Sequence, residues 1–336
     1  MRLSRTPIVA HAARCPGTRN GRVPEFDTGY SEANTLAQMT TSVRLLLAPF
    51  AATALLLNLW GSAEAPLLGA NQQKGASALP NGPDSFKFAV IGNSGTGEQA
   101  QYELANQMAA LHQRFKYDLV LLLGGNVQGS ERPQDFVNKF EKPYKGLLDG
   151  GVKFYAALGN DDSREQRYYK NFNMNGRLHY TFDPRPDVLF VALESTYIDT
   201  AQIEWLEAML RNAKSAWRIV YLHHPLYSSA RRHGSDSALR GRLEALFIQY
   251  HVSVVFSARD AVYERIRPQN GITYFVVGSG GKLRKGDLDS TSGLTASGFD
   301  KDLAFLAAEI SGDQMYFSAI SRTGDAVDSG MLLRRN

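Results

Sequence analysis

Cysteine is nearly absent from this sequence, since Cys15 is the single cysteine among 336 residues. One cysteine excludes an intramolecular disulfide and a cysteine-rich zinc site. A strong excess of either charge is also missing, because 37 Lys and Arg stand against 33 Asp and Glu and leave a formal net charge of +4. Basic residues occur only in short clusters such as Arg231-Arg232. We therefore expect no nucleic-acid partner, because nucleic-acid binders usually carry a basic stripe on their surface.

Long apolar runs are scarce as well. Residues 45–60 form the clearest one, and it is shorter than the roughly 20 residues that span a bilayer comfortably. Arg44 precedes this run and Ala63-Glu-Ala65 follows it, which is the pattern of a secretory signal peptide. We expect a start at Met39 and cleavage after Ala65, which makes residues 1–65 a leader and the protein exported, periplasmic or extracellular. A membrane anchor formed by residues 45–60 is the alternative.

The remaining chain has the pattern of a linker followed by one α/β domain. Residues 66–85 are rich in Gly, Ala, Asn and Pro. Over residues 86–333 apolar strands alternate with amphipathic helices, which predicts a two-sheet β-sandwich with helices outside. We expect one helix over residues 136–148 and another that begins at Thr200 as its N-cap. The last strands (272–277, 303–310, 314–320 and 327–333) are expected to be antiparallel.

Five predicted strands end in short polar or glycine-rich segments. In α/β sheets ligands bind where strands end, and glycines allow the backbone to approach closely there. The segments are Gly92-Asn-Ser-Gly95, Gly124-Gly-Asn-Val-Gln128, Gly159-Asn-Asp-Asp162, His223-His-Pro-Leu-Tyr227 and Ser257-Ala-Arg-Asp-Ala-Val-Tyr-Glu-Arg265. We expect Gly92, Gly95 and Gly97 to serve turn geometry rather than phosphate binding, because no Gly-Lys-Ser/Thr follows them.

In order and surroundings these segments resemble the calcineurin-like metallophosphoesterases, and most closely their purple acid phosphatase branch. The family pattern is Gly-Asp-x-Gly, Gly-Asp-Asn-x-Tyr, Gly-Asn-His-Asp/Glu, a His before x-Pro-x-Tyr, and Gly-His-x-His. The resemblance covers about residues 86–333 and includes Trp205-Leu206 and His233-Gly234. It implies the αββα fold of that family, whose members use two metal ions (iron with iron, zinc or manganese) to hydrolyse phosphate esters.

The resemblance fails at most of the metal-ligand positions. Matched position by position, Asn160 and His223 are retained. The family's first aspartate, bridging aspartate, tyrosinate and last two histidines are replaced by Asn93, Gly125, Gln128, Arg259 and Ala261, in that order. Asp161 stands at the position of the substrate-contacting histidine, and His233 matches the family's proton donor.

These replacements are expected to remove two-metal chemistry. Such a site holds two cations roughly 4 Å apart through carboxylates, imidazoles and a bridging oxygen. Glycine and alanine offer no donor, and neutral amide oxygens are poor ligands for a highly charged ion. Nearby side chains that could replace the ligands are Asp161, Asp162, Asp260 and His224, although His224 should point away from His223 because strand neighbours alternate.

The Arg259 guanidinium is predicted to enter the former metal space. There it would pair with Asp161 or Asp260, in the bidentate geometry that guanidinium groups favour.

The sequence therefore predicts a degenerate purple acid phosphatase-like protein, a pseudoenzyme that keeps its fold as a binding or scaffold module. We expect no metal cofactor and no catalytic residue. The expected partner is a phosphorylated small molecule or an exported protein, and membrane contact is expected only through an uncleaved leader. The alternative is an active exported phosphohydrolase of acid phosphatase type with a rebuilt or reduced metal site.

Overall fold

The computed structural model describes residues 79–335. The predictions on the signal peptide, its cleavage, the start at Met39, the alternative membrane anchor and most of the linker lie outside the described residues. The strands are β1 (Phe86–Ile91), β2 (Leu119–Leu123), β3 (Lys153–Ala157), β4 (Tyr180–Arg185), β5 (Val188–Ala192), β6 (Trp217–Tyr221), β7 (Val254–Ser257), β8 (Tyr263–Ile266), β9 (Thr273–Val277), β10 (Thr295–Phe299), β11 (Ala304–Ser311), β12 (Gln314–Ser321) and β13 (Ala326–Leu333).

The helices are α1 (Gln99–Arg114), α2 (Pro133–Phe136), α3 (Lys145–Asp149), α4 (Thr200–Asn212) and α5 (Ser237–Gln249). A π-helical turn covers Val137–Glu141, and 3₁₀ turns cover Arg164–Tyr168 and Lys170–Phe172. None of the helices within residues 79–335 is long and apolar enough to cross a membrane.

The strands form two mixed sheets, in the orders β13-β12-β11-β1-β2-β3 and β10-β8-β9-β7-β6-β5-β4. Strands β1, β2 and β3 are parallel, as are β5, β6, β7 and β9. Their inner faces meet through aromatic contacts, because the ring of Phe88 on β1 lies 5.2 Å from that of Phe190 and 6.1 Å from that of Phe256 in the other sheet. The predicted two-sheet sandwich is confirmed.

Helices cover both sheets. Leu104 and Met108 of α1 belong to the same buried core as Phe88. Leu206 of α4 and Leu243 of α5 pack in a second core with the strands of the other sheet. Each fully buried side chain of this size stabilises the fold by about 1.5–3 kcal/mol.

Several local predictions were wrong. The segment predicted as one helix over residues 136–148 is divided among α2, the π-helical turn and α3, with a break around Pro143. Proline removes a backbone N–H and clashes with the preceding turn. Asp199 rather than Thr200 is the N-cap of α4, because its Oδ1 accepts a hydrogen bond from the Gln202 N–H at 2.8 Å.

The expected antiparallel pairing holds for β11, β12 and β13. It fails for β9, which is parallel to β7 and antiparallel only to β8. Strand β10 was not predicted, because its sequence Thr-Ala-Ser-Gly-Phe lacks an apolar alternation and its pairing is interrupted near Ser297.

Candidate functional site

The predicted site residues follow parallel strands of both sheets. Asn93 follows β1, Gly125 and Gln128 follow β2, and Asn160 follows β3 in the first sheet, whereas His223 and Arg259 follow β6 and β7 in the second. The two groups meet, since the His223 ring Nδ1 lies 2.8 Å from the Leu123 carbonyl oxygen at the end of β2. The structure thus brings these predicted positions together at one place.

At the bridging-aspartate position the chain leaves no room for a side chain. Gly125 has a left-handed backbone with φ +67, and a Cβ there would lie 2.7 Å from Asn93 Oδ1 and 2.8 Å from Asn93 Cα. Asn93 is fixed against this loop, because its backbone N–H donates to the Gly124 carbonyl at 2.8 Å. The two positions that would hold carboxylates in the family are packed against each other.

The amide groups that replace charged ligands donate hydrogen bonds to the main chain. Asn93 Nδ2 donates to the carbonyls of Gly278 at 2.9 Å and Arg259 at 3.3 Å. Gln128 Nε2 donates to the carbonyls of Asn93 at 3.1 Å and Gly125 at 3.4 Å. An aspartate at position 93 would place a carboxylate against two carbonyl oxygens, which repel it. Asn93 and Gln128 therefore stabilise the loops as donors.

The two retained ligand matches face each other. His223 Nδ1 must carry the proton, because its partner, the Leu123 carbonyl, can only accept. Burial, followed by nearby positive charge, lowers the pKa of His223 to about 3, so the ring is neutral and Nε2 keeps a lone pair. This nitrogen lies 3.1 Å from Asn160 Oδ1, while Asn160 Nδ2 donates to Asp161 Oδ1 at 2.7 Å. Two hydrogen-bond acceptors, His223 Nε2 and Asn160 Oδ1, thus face each other.

The four side chains considered as replacement ligands are used elsewhere. Asp162 accepts hydrogen bonds from the backbone N–H groups of Gly125, Asn126, Val127 and Gly159 and from Gln166. Asp260 accepts from Ser228 Oγ at 2.8 Å, and His224 Nδ1 contacts Ser195 Oγ at 2.9 Å. Asp161 lies 3.9 Å from Lys282 Nζ. The prediction that His224 points away from His223 was wrong: the two rings lie 5.2 Å apart, and strand alternation does not apply because both residues follow β6 rather than lying in it.

The predicted pairing of Arg259 is wrong. Within residues 79–335 its guanidinium forms no ion pair, and its buried Nε has no hydrogen-bond partner. It nevertheless lies among the site histidines, because its positive charge contributes to the lowered pKa values of His223, His224 and His233, each of which is lowered mainly by burial. The charge of Arg259 also opposes the burial that raises the pKa of Asp260, but the two side chains form no ion pair, and Asp161 lies beside Lys282 instead.

His233 is exposed, and the cations near it are Arg259, Arg232 and Arg284. The backbone carbonyl of Ala261 accepts a hydrogen bond from the Arg284 N–H at 2.9 Å, so this position contributes only main chain. The loop after β7 therefore adds positive charge where the family has two metal-binding histidines.

These residues do not fit a pair of metal ions. No group of three or more His, Cys, Asp or Glu side chains in the described part of the chain could hold a metal ion. His223 and Asn160 supply one nitrogen and one neutral oxygen, which is too few donors for a tightly bound divalent cation.

A sixth segment of the site was missed from the sequence. Gly278-Ser-Gly-Gly281 follows β9, and a Cβ at Gly278 would lie 2.0 Å from the Asp260 carbonyl oxygen. A Cβ at Gly280 would lie 2.6 Å from the Gly92 carbonyl oxygen. The signal was present in the sequence as three glycines in four positions directly after a buried strand. A Cβ at Gly95 would similarly lie 1.9 Å from the Asn126 carbonyl oxygen, which supports the packing interpretation of that glycine.

Known proteins of similar sequence include purple acid phosphatases. Purple acid phosphatase 23 of Arabidopsis thaliana is 33% identical over 130 residues, covering 34% of this chain and 28% of that protein, so only a minor part of its length is matched. Tartrate-resistant acid phosphatase type 5 of Oryctolagus cuniculus is 30% identical over 58% of this chain and 73% of its own length.

Two solved structures share the fold. One is described as GAP50, the anchor in the inner membrane complex of Plasmodium, with a TM-score of 0.63, 19% identity, and coverage of 75% of this chain and 90% of that one. A purple acid phosphatase from yellow lupin (Lupinus luteus) aligns with a TM-score of 0.56 and 18% identity over 76% of this chain and 55% of its own. The family model for calcineurin-like phosphoesterases matches residues 86–258, which contain four of the five predicted strand-end segments and the first two residues of the fifth. With its sandwich, its loop order and its relatives in agreement, the chain belongs to the calcineurin-like phosphoesterases and is similar to their purple acid phosphatases.

Proposed function

We propose that this protein does not hydrolyse phosphate esters and keeps the phosphoesterase fold as a binding or scaffold module. The observation that carries the proposal is the closed space between Gly125 and Asn93, where a Cβ would lie 2.7 Å from the Asn93 amide oxygen. A bridging carboxylate has no place there, and without one the two-metal mechanism lacks its central ligand. The GAP50 neighbour, described as an anchor, supports a scaffold role for this fold.

A phosphorylated small molecule is the ligand that the former metal site supports. Arg259 offers a guanidinium without a carboxylate partner, and its Nε is buried with no hydrogen bond. Guanidinium groups bind phosphate oxygens in a bidentate geometry. Titration with inorganic phosphate tests this: we expect saturable binding that Arg259→Met abolishes, whereas Arg322→Met, which breaks a remote ion pair with Asp302, leaves it unchanged.

A second candidate function is a phosphohydrolase with one metal ion. The convergence of His223 Nε2 and Asn160 Oδ1 at 3.1 Å favours it, because two lone pairs at this distance are relieved by a shared cation. Export to a periplasmic or extracellular compartment remains part of both proposals and depends on the leader.

Metal analysis combined with turnover of an aryl phosphate distinguishes the two functions. For the non-catalytic protein we expect less than roughly 0.1 metal ion per purified chain and no turnover after addition of iron, zinc or manganese. The matched control is the His223→Ala variant. Turnover that appears with added metal and disappears in His223→Ala would establish the one-metal enzyme instead.

A further inference from the structure

A surface groove is lined by residues other than those of the former metal site. It is formed by the 3₁₀ turn Arg164–Tyr168, the loop that precedes β4 and the beginning of α4. Its volume is about 410 Å³, and its lining includes Arg167, Tyr168, Gly176, Arg177, His179 and Trp205. None of the matched metal-ligand positions contributes to this lining.

The walls of the groove are aromatic and held in place. The Trp205 and His179 rings lie 4.6 Å apart. Tyr168 is 63% exposed, yet its ring packs on Gly176, where a Cβ would lie 3.0 Å from Tyr168 Cε1. The Arg167 guanidinium lies 4.6 Å from the centre of the Tyr168 ring. An exposed aromatic that is already packed loses little conformational freedom on binding.

The groove carries one arginine, Arg177, that has no carboxylate partner among the residues that the structure describes. Arg177 is exposed, and its side chain makes no ion pair or hydrogen bond within residues 79–335. Arg167 pairs with Glu165 at 3.4 Å, and that carboxylate is itself 73% exposed. The pKa of His179 is lowered, mainly by burial, so this ring adds no charge at neutral pH.

Arginine and aromatic residues continue beyond the groove. Arg164 pairs with Glu194 at 3.8 Å and lies 5.9 Å from the ring of Tyr197, which is 69% exposed. Tyr168 and Tyr197 are thus two strongly exposed aromatic rings, and each lies beside an arginine. Tyr, Trp and Arg are the residues that dominate binding energy in protein interfaces.

We propose that this groove binds an acidic, aromatic-containing segment of a protein partner. Carboxylates of the segment pair with Arg167 and Arg177, because guanidinium groups hold carboxylates in a bidentate geometry. An aromatic side chain of the segment packs between Tyr168 and Trp205. The groove is open to solvent, which suits an extended chain better than a small molecule that needs enclosure. The inference rests on the proposed scaffold role, but it concerns residues separate from the former metal site.

Selection from a phage-displayed library of random peptides on the immobilised full chain tests the proposal. We expect the enriched peptides to contain Asp or Glu together with an aromatic residue. Binding of the most enriched synthetic peptide is then measured by fluorescence polarisation. The double variant Arg167→Glu/Arg177→Glu should weaken this binding at least about tenfold, and Tyr168→Ala should weaken it severalfold.

The matched control is Lys285→Glu/Lys301→Glu, which makes the same change of net charge at two exposed positions outside the groove and should change affinity less than about twofold. The thermal midpoint of each variant verifies folding. Enrichment of peptides without acidic residues, or equal affinity for the groove variant, would overturn the proposal. So would groove-dependent binding of phosphatidylserine vesicles without any peptide binding. Aryl phosphate turnover of the same preparations is a separate readout, so active protein with intact peptide binding would refute only the non-catalytic role.

Discussion

Gly125 and Gly129 have similar left-handed backbones, with φ +67 and φ +75, but different surroundings. A Cβ at Gly125 would lie 2.7 Å from Asn93 Oδ1, whereas a Cβ at Gly129 would meet nothing within 4 Å. The pair therefore separates the strain of a left-handed side chain from the effect of crowding.

We expect Gly125→Ala to destabilise the protein by about 1–3 kcal/mol more than Gly129→Ala. Both substitutions place a side chain on a left-handed backbone, but only Gly125→Ala forces Asn93 to move. Urea unfolding of the two variants measures this difference. Equal free energies of unfolding would show that the space at Gly125 opens easily, and they would weaken the proposed loss of catalysis.

Asp260 carries a buried carboxylate that the folded chain does not fully satisfy. It is 1% exposed, Ser228 donates to its Oδ2, and its Oδ1 has no hydrogen-bond partner. Burial raises the pKa of Asp260 to about 6. Between pH 4 and pH 6 the folded chain therefore holds a proton that the unfolded chain has released, and stability falls as the pH rises through this range.

We expect Asp260→Asn to be more stable than the unmodified protein by about 2–3 kcal/mol at pH 7, with the difference vanishing below about pH 4. Asparagine keeps the shape and the bond from Ser228 but cannot ionise. Thermal or urea unfolding at several pH values measures the profile, and Asp161→Asn, at an exposed carboxylate, is the control. Parallel profiles for the Asp260 variant and the unmodified protein would contradict this assignment.

At the scale of elements, helix α4 shows which of two adjacent residues acts as its N-cap. Asp199 and Thr200 are both residues that cap helices, but only Asp199 has its side-chain oxygen on the Gln202 N–H. Asp199→Ala should cost about 1 kcal/mol, because an N–H of the first turn loses its partner. Thr200→Ala should change the free energy of unfolding by less than about 0.5 kcal/mol. A larger loss for the Thr200 variant would place the cap where the sequence suggested it.

The elements that were predicted well have strong one-dimensional signals. Strand β2 is a continuous apolar run and β1 is one apart from Lys87, and each is followed directly by a glycine, so the positions of these strands followed from the sequence. The π-helical turn, strand β10 and the parallel pairing of β9 did not, because they depend on tertiary partners. The orientation of the Asn93 side chain could not be predicted from the sequence either, because the Gly278 carbonyl to which it donates lies 185 residues further along the chain.

On the scale of the whole molecule, direct hydrogen bonds within the chain connect the loops that carry the matched metal-ligand positions. The loops at the former site are joined by hydrogen bonds such as those from Asn93 to Gly278 and from Gln128 to Asn93. Anything that binds only the folded state raises the midpoint of unfolding, and its removal lowers it. We expect dialysis against EDTA to shift the thermal midpoint by less than about 1 °C.

Differential scanning calorimetry before and after chelation makes this measurement, with re-addition of zinc as its control. A midpoint that falls by several degrees and recovers with zinc would show that a cation contributes to stability, in agreement with the one-metal alternative.

The Asp162 carboxylate affects how freely the amino-acid sequence of the loops after β2 and β3 can change. It accepts hydrogen bonds from four main-chain N–H groups in two different loops, those of Gly125, Asn126, Val127 and Gly159. Main-chain donors are the same whatever side chain a position carries. Evolution can therefore exchange the outward-facing chemistry of both loops while one acidic residue preserves their path, so a new ligand can be acquired on an inherited frame.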